Sequence, residues 1–218
     1  MLKSGKVHML DEKIATAQSI IAAQSVPICV CWTGGGKDSA VLLHLVEQTL
    51  DNFPPLLFID SASEFPETYA ILDQYRKTHS VFIETARMCD ELEVNSNARC
   101  SCTEGKIQAI ERAVLHYDLR LIAVGIRRDE HEARAEESFI HSYETHERIH
   151  PILQFTEADV WKYIEAFGLE VNPLYKKGYR SLGCFRCTVM SQTGDRERGG
   201  RATEKEGLMA ELRERGYF

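Results

Sequence analysis

The sequence predicts an α/β protein: a mostly parallel, five-stranded sheet with helices on both faces, followed by a C-terminal segment of different character. Three observations carry this. Short apolar runs rich in β-branched residues alternate with longer stretches of helical periodicity. The first such run ends in glycines that lead straight into a helix, Val26 to Trp32 and then Thr33-Gly34-Gly35-Gly36-Lys37-Asp38-Ser39. Near the other end, Thr156-Glu157-Ala158-Asp159 has the form of a capping box, and Gly168 suits the C′ position of the helix it opens.

In chain order, Ile14, Ala17, Ile20 and Ile21 recur at helical spacing over 11–24. Val26 to Trp32 reads as a buried strand and Ala40 to Leu50 as a helix packed on a sheet. Leu56 to Asp60 is the second strand, Glu67 to Thr78 a helix and Val81 to Glu84 the third strand. Glu104 to Tyr117 is a helix, Leu119 to Gly125 the fourth strand, and a short fifth lies near Ile149 to Leu153. Strands separated by helices imply right-handed crossovers between parallel neighbours. No internal repeat or low-complexity segment interrupts this order.

With 218 residues, 44% of them hydrophobic and 27% charged, the chain can bury a full-sized core. A net charge of −7 argues against coating nucleic acid through bulk charge, while a local basic groove stays open. No apolar run approaches the roughly 18–20 residues needed to cross a bilayer, and the N-terminus lacks the apolar core of a signal peptide. The expectation is a cytoplasmic protein with no membrane partner. Seven cysteines, clustered in sequence, point in a reducing compartment to metal or redox chemistry rather than disulfides.

Strand, glycine-rich turn and helix make a phosphate-binding arrangement. Gly34, Gly35 and Gly36 let the backbone approach phosphate oxygens, and the helix start adds the positive end of its dipole. Thr33 and Ser39 supply hydroxyls and Lys37 a compact positive charge; Asp38 orients the loop or holds Mg²⁺. The spacing is neither G-x-x-x-x-G-K-[ST] nor G-x-G-x-x-G. The bland alternative is a glycine-rich turn without a ligand. Arg127 and Arg128 follow the fourth strand, at the edge of an open parallel sheet where ligands bind, and suit a phosphate or sulfate-like oxyanion unless they are ordinary surface arginines. Asp60 ends the second strand at the same edge, where it positions adenosine or Mg²⁺ or simply caps the turn.

The segment Thr33 to Ser39 resembles the S-G-G-x-D-S signature of PP-loop ATP pyrophosphatases, with Thr33 for the first serine and one extra glycine. Phe58 to Tyr69, Gly125-Ile126-Arg127-Arg128-Asp129-Glu130, His150-Pro151-Ile152-Leu153 and Asn172-Pro173-Leu174-Tyr175 resemble the PAPS reductase and ATP sulfurylase small-subunit group. The resemblance runs from about Ala22 to the end. It implies a Rossmann-like, adenine nucleotide alpha hydrolase-like fold. Residues 1–190 would then be the nucleotide-binding domain with its cysteine set, and 191–218 a charged, arginine-rich tail. It further implies that the loop holds the β- and γ-phosphates of ATP, with Mg²⁺, while the α-phosphate is attacked, and that Gly125 belongs to the nucleotide site.

Cys100-Ser101-Cys102 and Cys184-Phe185-Arg186-Cys187 form a C-x-C…C-x-x-C set able to converge on one metal or cluster. APS reductases and sulfur-transferring relatives bind a [4Fe–4S] cluster through a Cys-Cys pair before a lysine-bearing helix and a distant Gly-Cys-x-x-Cys-Thr. Gly183 to Thr188 matches without alteration and Cys102 stands four before Lys106, whereas Cys100 is displaced by one residue. The set therefore implies a [4Fe–4S] cluster, with Cys₄ zinc or unligated thiols as the alternatives. Cys29 and Cys31 read as core residues and Cys89 as structural.

PAPS and APS reductases attack sulfur with a cysteine in a C-terminal Glu-Cys-Gly motif, whereas the last cysteine of this sequence is Cys187. The tail instead resembles that of the ATP sulfurylase small subunit. Arg196, Arg198 and Arg201 can fold over a triphosphate, against the reading of a solvated charged tail. The combination resembles the iron–sulfur ATP pyrophosphatases of DNA phosphorothioation. The expected activity is adenylylation of an acceptor, with pyrophosphate release, in sulfur transfer or assimilation. The acceptor would be nucleic acid or sulfate, with a sulfur-donor or GTPase partner protein, and an oligomer is compatible. The alternatives are APS or PAPS reduction, and a sulfate adenylyltransferase subunit.

Overall fold

A computed structural model describes residues 4–86, 102–192 and 194–217. Its helices are α1 (Ser4–Ala22), α2 (Lys37–Leu50), α3 (Pro66–Tyr75), α4 (Cys102–His116), α5 (Glu157–Phe167), α6 (Thr203–Gly207) and α7 (Met209–Glu214). Its strands are β1 (Cys29–Cys31), β2 (Leu56–Asp60), β3 (Val81–Thr85), β4 (Leu121–Val124), β5 (Ile140–Ser142) and β6 (Glu147–Ile149). The strands form one sheet in the order β3-β2-β1-β4-β6-β5. All neighbours are parallel except β5 on β6. The chain winds outward from β1 to β3 and then returns to place β4 on the other flank of β1. That reversal opens a crevice at the carboxyl ends of β1 and β4, where ligands of open α/β sheets bind.

The period of two along each strand divides the core into two layers. Val30, Leu56, Phe58, Ala123 and Ile149 face α1, α2 and α5, meeting Ile21, Leu42, Leu45, Val46, Val160 and Tyr163. Cys29, Leu57 and Ile122 face the other way, against Ile110, Ala113 and Val114 of α4. Both faces of the central strands are thus covered, which is why their sequences are unbroken apolar runs. A third cluster docks the C-terminal segment: Met209 and Leu212 of α7 pack on Ile126 and Leu153.

α5 begins as its sequence anticipates. The Thr156 hydroxyl accepts from the Asp159 N–H at 3.2 Å, and the Asp159 carboxylate accepts from the Thr156 N–H at 3.0 Å. Gly168 ends it with φ of 62°. The end of the sheet differs from expectation. The strand anticipated over Ile149 to Leu153 is Glu147–Ile149, because Pro151 offers no N–H to a ladder and residues 150–153 turn instead, Leu153 N–H donating to the His150 carbonyl at 3.1 Å. The sheet has six strands rather than five, since β5 adds an antiparallel edge whose residues His141 and Ser142 carry no apolar signal. Among the described residues no helix is long and apolar enough to cross a membrane.

Two predictions follow from this packing. Leu45 is fully buried between α2 and the sheet, so Leu45→Ala should lower unfolding free energy by about 2–5 kcal/mol in denaturant titrations. His146 and His150 are pushed down to about 4, chiefly by burial. The unfolded chain takes up these protons near pH ~6.5, whereas the folded chain keeps both rings neutral until about pH 4. Their contribution to stability is therefore complete above pH ~6.5 and is lost as the pH falls toward 4. Thermal unfolding midpoints at pH 7.5, 5.5 and 4.5 should fall in that order, and fall less in a His146→Gln/His150→Gln variant.

Candidate active site

β1 ends at Cys31, and the chain leaves it as Thr33-Gly34-Gly35-Gly36 before α2 begins at Lys37. Gly34 and Gly35 take φ of +70° and +79°, the left-handed region that side chains oppose. Space excludes side chains as well: a Cβ on Gly34 would come to 2.3 Å from Thr68 Cγ2, and one on Gly36 to 2.3 Å from Thr33 Oγ1. The turn is braced from the inside. Ser39 Oγ donates to the Gly36 carbonyl at 3.0 Å and lies 2.9 Å from Thr33 Oγ1. It is also held from outside by Asn172, which is fully buried. The Asn172 backbone N–H donates to the Gly35 carbonyl at 2.8 Å and its Nδ2 to the Gly34 carbonyl at 3.3 Å. These bonds tie the carbonyls back, while the Thr33 N–H goes to Ser39 Oγ at 3.3 Å and the Lys37 N–H to the Tyr175 hydroxyl at 2.9 Å, so the N–H groups the loop offers a ligand are those of its glycines. The first-turn N–H groups of Asp38 and Ser39 have no intrahelical acceptor, by the geometry of a helix start.

Three elements bring charge to this loop. Gly125, just past β4, lies so close that a Cβ there would sit 3.2 Å from the Asp38 backbone. Arg127 follows it in extended conformation and is completely buried. Its Nε donates to Asp38 Oδ1 at 2.6 Å and its Nη2 to Glu197 Oε1 at 2.5 Å. Lys37 is equally buried, its ammonium meeting Glu197 Oε1 at 2.6 Å, Asp38 Oδ2 at 3.1 Å and the Arg180 carbonyl at 3.2 Å. Behind them Glu130 pairs with Arg134 and stands 3.5 Å from Arg198, which grips Glu206 through two bonds of 2.6 and 2.8 Å.

The electrostatics follow from burial and pairing. Burial alone would push Lys37 and Arg127 down, but the carboxylates around them hold both above their ordinary values. Burial opposes ionisation of Glu130 too, yet Arg134, Arg198 and Arg127 bring it to about 2. Glu197 behaves differently. Burial pushes its carboxyl upward, helped by the nearby Asp38 and Glu130 and opposed by Lys37 and Arg127. Asp38, Glu130 and Glu197 place carboxylate oxygens within 4.8 Å of one another. Each is already matched to a lysine or arginine, so the group is part of an ion-pair lattice rather than an evident cation site.

A cleft of about 150 Å³ opens over this lattice, lined by Thr33, Gly36, Lys37, Asp38, Ser39, Gly125 and Arg201 among others. Arg201 reaches it from the tail, its Nη1 donating to the Leu182 carbonyl at 2.6 Å. Two expected residues are elsewhere. Arg127 is extended, but Arg128 begins the 3₁₀ turn Arg128–Glu130 and donates instead to the Glu137 carbonyl at 2.7 and 3.2 Å. Asp60 caps its own turn, accepting from Ala62 N–H at 2.7 Å and from the Tyr69 hydroxyl at 2.8 Å. Neither lines the cleft. Cys31, expected in the core, packs half-buried against the α4 layer and also lines the cleft. Sequence reasoning gave no role to Glu130, Asn172, Tyr175 or Glu197. Three of them lay inside quoted motifs, whereas Glu197 sits in a charge-rich segment where nothing singles it out.

Of the cysteine set, Cys184 and Cys187 flank one 3₁₀ turn, with Cys187 N–H donating to the Cys184 carbonyl at 3.1 Å. Cys184 is buried and Cys187 half-buried, and neither forms a disulfide. Phe185 N–H donates to the Ser63 carbonyl at 2.9 Å, tying this turn to the loop after β2. A short turn presenting two thiols suits half of a four-cysteine ligand set. Cys89 and Cys100 lie outside the described residues, and Cys102 opens α4.

Residues 28–190 match the model of the phosphoadenosine phosphosulfate reductase domain. The chain is 32% identical over 177 residues to an adenosine 5′-phosphosulfate reductase of Chelativorans sp. (strain BNC1), covering 76% of this chain and 71% of that protein. It is 29% identical over 179 residues to a phosphoadenosine 5′-phosphosulfate reductase of Xanthomonas campestris pv. campestris (strain B100), covering 74% and 72%. Among solved structures, Candida glabrata FMN adenylyltransferase with FMN and AMPCPP superposes with a TM-score of 0.68 at 19% identity, covering 90% of this chain and 71% of that one. The phosphoadenylyl-sulfate reductase of Candida auris gives 0.65 at 20%, covering 87% and 98%. The U34-tRNA thiolase NcsA of Methanococcus maripaludis, with its [4Fe-4S] cluster, gives 0.57 at 15%, covering 76% and 66%. These likenesses establish the Rossmann-like PP-loop fold. The match over residues 28–190, together with the identity to the curated reductases, makes the chain a member of the phosphoadenosine phosphosulfate reductase domain family.

Proposed function

We propose that this chain binds ATP in the loop from Thr33 to Ser39 and transfers its AMP to an acceptor oxygen, releasing pyrophosphate. The observation that supports this most is the loop itself. An intact glycine turn, a helix N-terminus, Lys37 and Ser39 converge on one cleft at the switch point of the sheet. A β,γ-pyrophosphate needs such a cradle, whereas a nucleotide with a single phosphate beside its sulfate does not. In the reaction the acceptor oxygen forms a bond to the α-phosphorus. The bond from that phosphorus to the bridging oxygen breaks, and pyrophosphate leaves with the electron pair. Lys37, Ser39 and the loop N–H groups hold the leaving pyrophosphate, and Arg127, with Arg201, neutralises charge at the α-phosphate. Mg²⁺ would travel with the nucleotide. A [4Fe–4S] cluster would be held by Cys184 and Cys187 with Cys100 and Cys102, and when bound would supply a site for sulfur or electrons.

The second reading is reduction of an adenylyl sulfate, and the names of the curated relatives favour it over adenylyl transfer. It requires a thiol nucleophile, and no cysteine of this sequence follows Cys187. On this reading the thiol comes from elsewhere in the chain or from a second protein. The two readings separate in one comparison: pyrophosphate release from ATP against sulfite release from APS or PAPS with thioredoxin. Adenylyl transfer predicts the first and not the second. Sulfite without pyrophosphate would replace it by reduction.

Lys37→Ala should lower kcat/KM for pyrophosphate release by about 100-fold or more, the scale for losing a charged donor to the developing leaving group. Asn172→Ala frees the Gly34 carbonyl and should weaken ATP affinity about tenfold with little loss of fold, read by calorimetry and circular dichroism. Unchanged affinity would show that Asn172 does not shape the loop.

A further inference from the structure

Among the described residues, Glu197 is the anion of the C-terminal segment that touches both Lys37 and Arg127 (2.6 and 2.5 Å). Those cations are the pair assigned above to nucleotide phosphate. One carboxylate oxygen, Glu197 Oε1, accepts from both the buried lysine and the buried arginine, the position and charge a phosphate oxygen would take. All three directions of the Lys37 ammonium are taken, by Glu197, Asp38 and the Arg180 carbonyl, so phosphate cannot reach it without displacing one. Asp38 belongs to the loop and is held by Arg127 Nε, and the Arg180 carbonyl is main chain. Glu197 is the exchangeable partner.

The segment that carries it is bounded by glycines and closed by short local bonds. Residues 194–200 lie between Gly194 (φ +91°) and the Gly199-Gly200 pair. The segment closes on the bridge between Thr188 and Arg201, with Val189 N–H donating to the Gly200 carbonyl at 2.8 Å. Besides Glu197, it is held by Arg180 Nη1 on the Asp195 carbonyl at 2.6 Å and by Arg198 on Glu206 and Glu130. The apolar docking of the tail lies beyond it, at Met209 and Leu212, and survives if the segment swings.

We propose that Glu197 is a tethered stand-in for phosphate: its carboxylate sits on Lys37 and Arg127, and the phosphates of a nucleotide displace it. This rests on the nucleotide reading above. The device spares two buried cations from relying chiefly on the single Asp38 carboxylate before substrate arrives, where an undercompensated charge is unfavourable. It also lowers apparent affinity by the fraction of time the site is open.

The experiment compares wild type, Glu197→Gln and Glu197→Ala in calorimetric titrations with inorganic pyrophosphate and with Mg·ATP, alongside thermal unfolding with and without pyrophosphate. Glu197→Ala should bind pyrophosphate about tenfold tighter or more. It should also melt lower than wild type when empty and gain more in melting temperature from pyrophosphate, with Glu197→Gln between the two. A purely structural role predicts the lower melting temperature with equal or weaker binding, and that result overturns the proposal while leaving the nucleotide reading intact. If none of the three forms binds ATP or pyrophosphate while circular dichroism shows each folded, the nucleotide reading fails and the displacement with it.

Discussion

The contact of Arg127 with Asp38 and Glu197 is the constraint on which the rest of the site depends. It joins the loop after β1, the segment after β4 and the C-terminal segment through one buried guanidinium. Such a lattice is weak as a source of net stability, because desolvating the charges offsets most of their attraction. Its effect is on arrangement. Any shift of β4 against β1 would break the Arg127–Asp38 pair and leave each with fewer partners in a largely dry setting, Arg127 with Glu197 and Asp38 with Lys37. The lattice therefore selects one relative placement of strand ends, loop and tail out of several that the apolar core alone would tolerate.

The backbone is shaped to allow this. Gly125 lets β4 run against the start of α2, and Asn172 pulls two loop carbonyls out of the way from a segment more than a hundred residues distant in sequence. Tyr175 adds a third support, its hydroxyl accepting from Lys37 N–H at 2.9 Å. Burial pushes that phenol up to about 12, so it keeps its proton across the working range. The cysteine turn is tied to the same edge of the sheet through Ser63. The glycine-loop cleft and the thiol pair are thus placed by adjacent loops of one scaffold.

Much of the fold is legible in the sequence because its signals are local. Unbroken runs such as Leu56 to Asp60 mark strands covered on both faces, and the capping box at Thr156 with Gly168 brackets α5 within a residue. The misses share a cause. β5 is three residues long at a sheet edge, where half-exposed side chains need no apolar pattern, and its existence depends on pairing with β6. The fifth strand was placed late because Ile149 to Leu153 is apolar, yet those residues are buried by a turn, and burial alone does not distinguish turn from strand. α6 and α7 hide in a charged stretch whose few apolar residues, Met209 and Leu212, reach the core.

For the site, the sequence by itself determined the glycine loop to which the proposal assigns phosphate, since glycines, lysine and serine act within seven consecutive residues and their geometry is set by the backbone there. It also marked Arg127 and the cysteine turn by their position after strands and by spacing. It offered no reason for a third glycine; the structure supplies one, as Gly34 and Gly35 both need positive φ while Gly36 abuts the Thr33 side chain. Only the tertiary structure separated Arg127 from Arg128, turned Asp60 into a cap and brought Glu197 onto Lys37. The chain turns into a 3₁₀ helix at Arg128, and a charge gains meaning only from the partner that long-range packing gives it, so neither fact is written in local sequence.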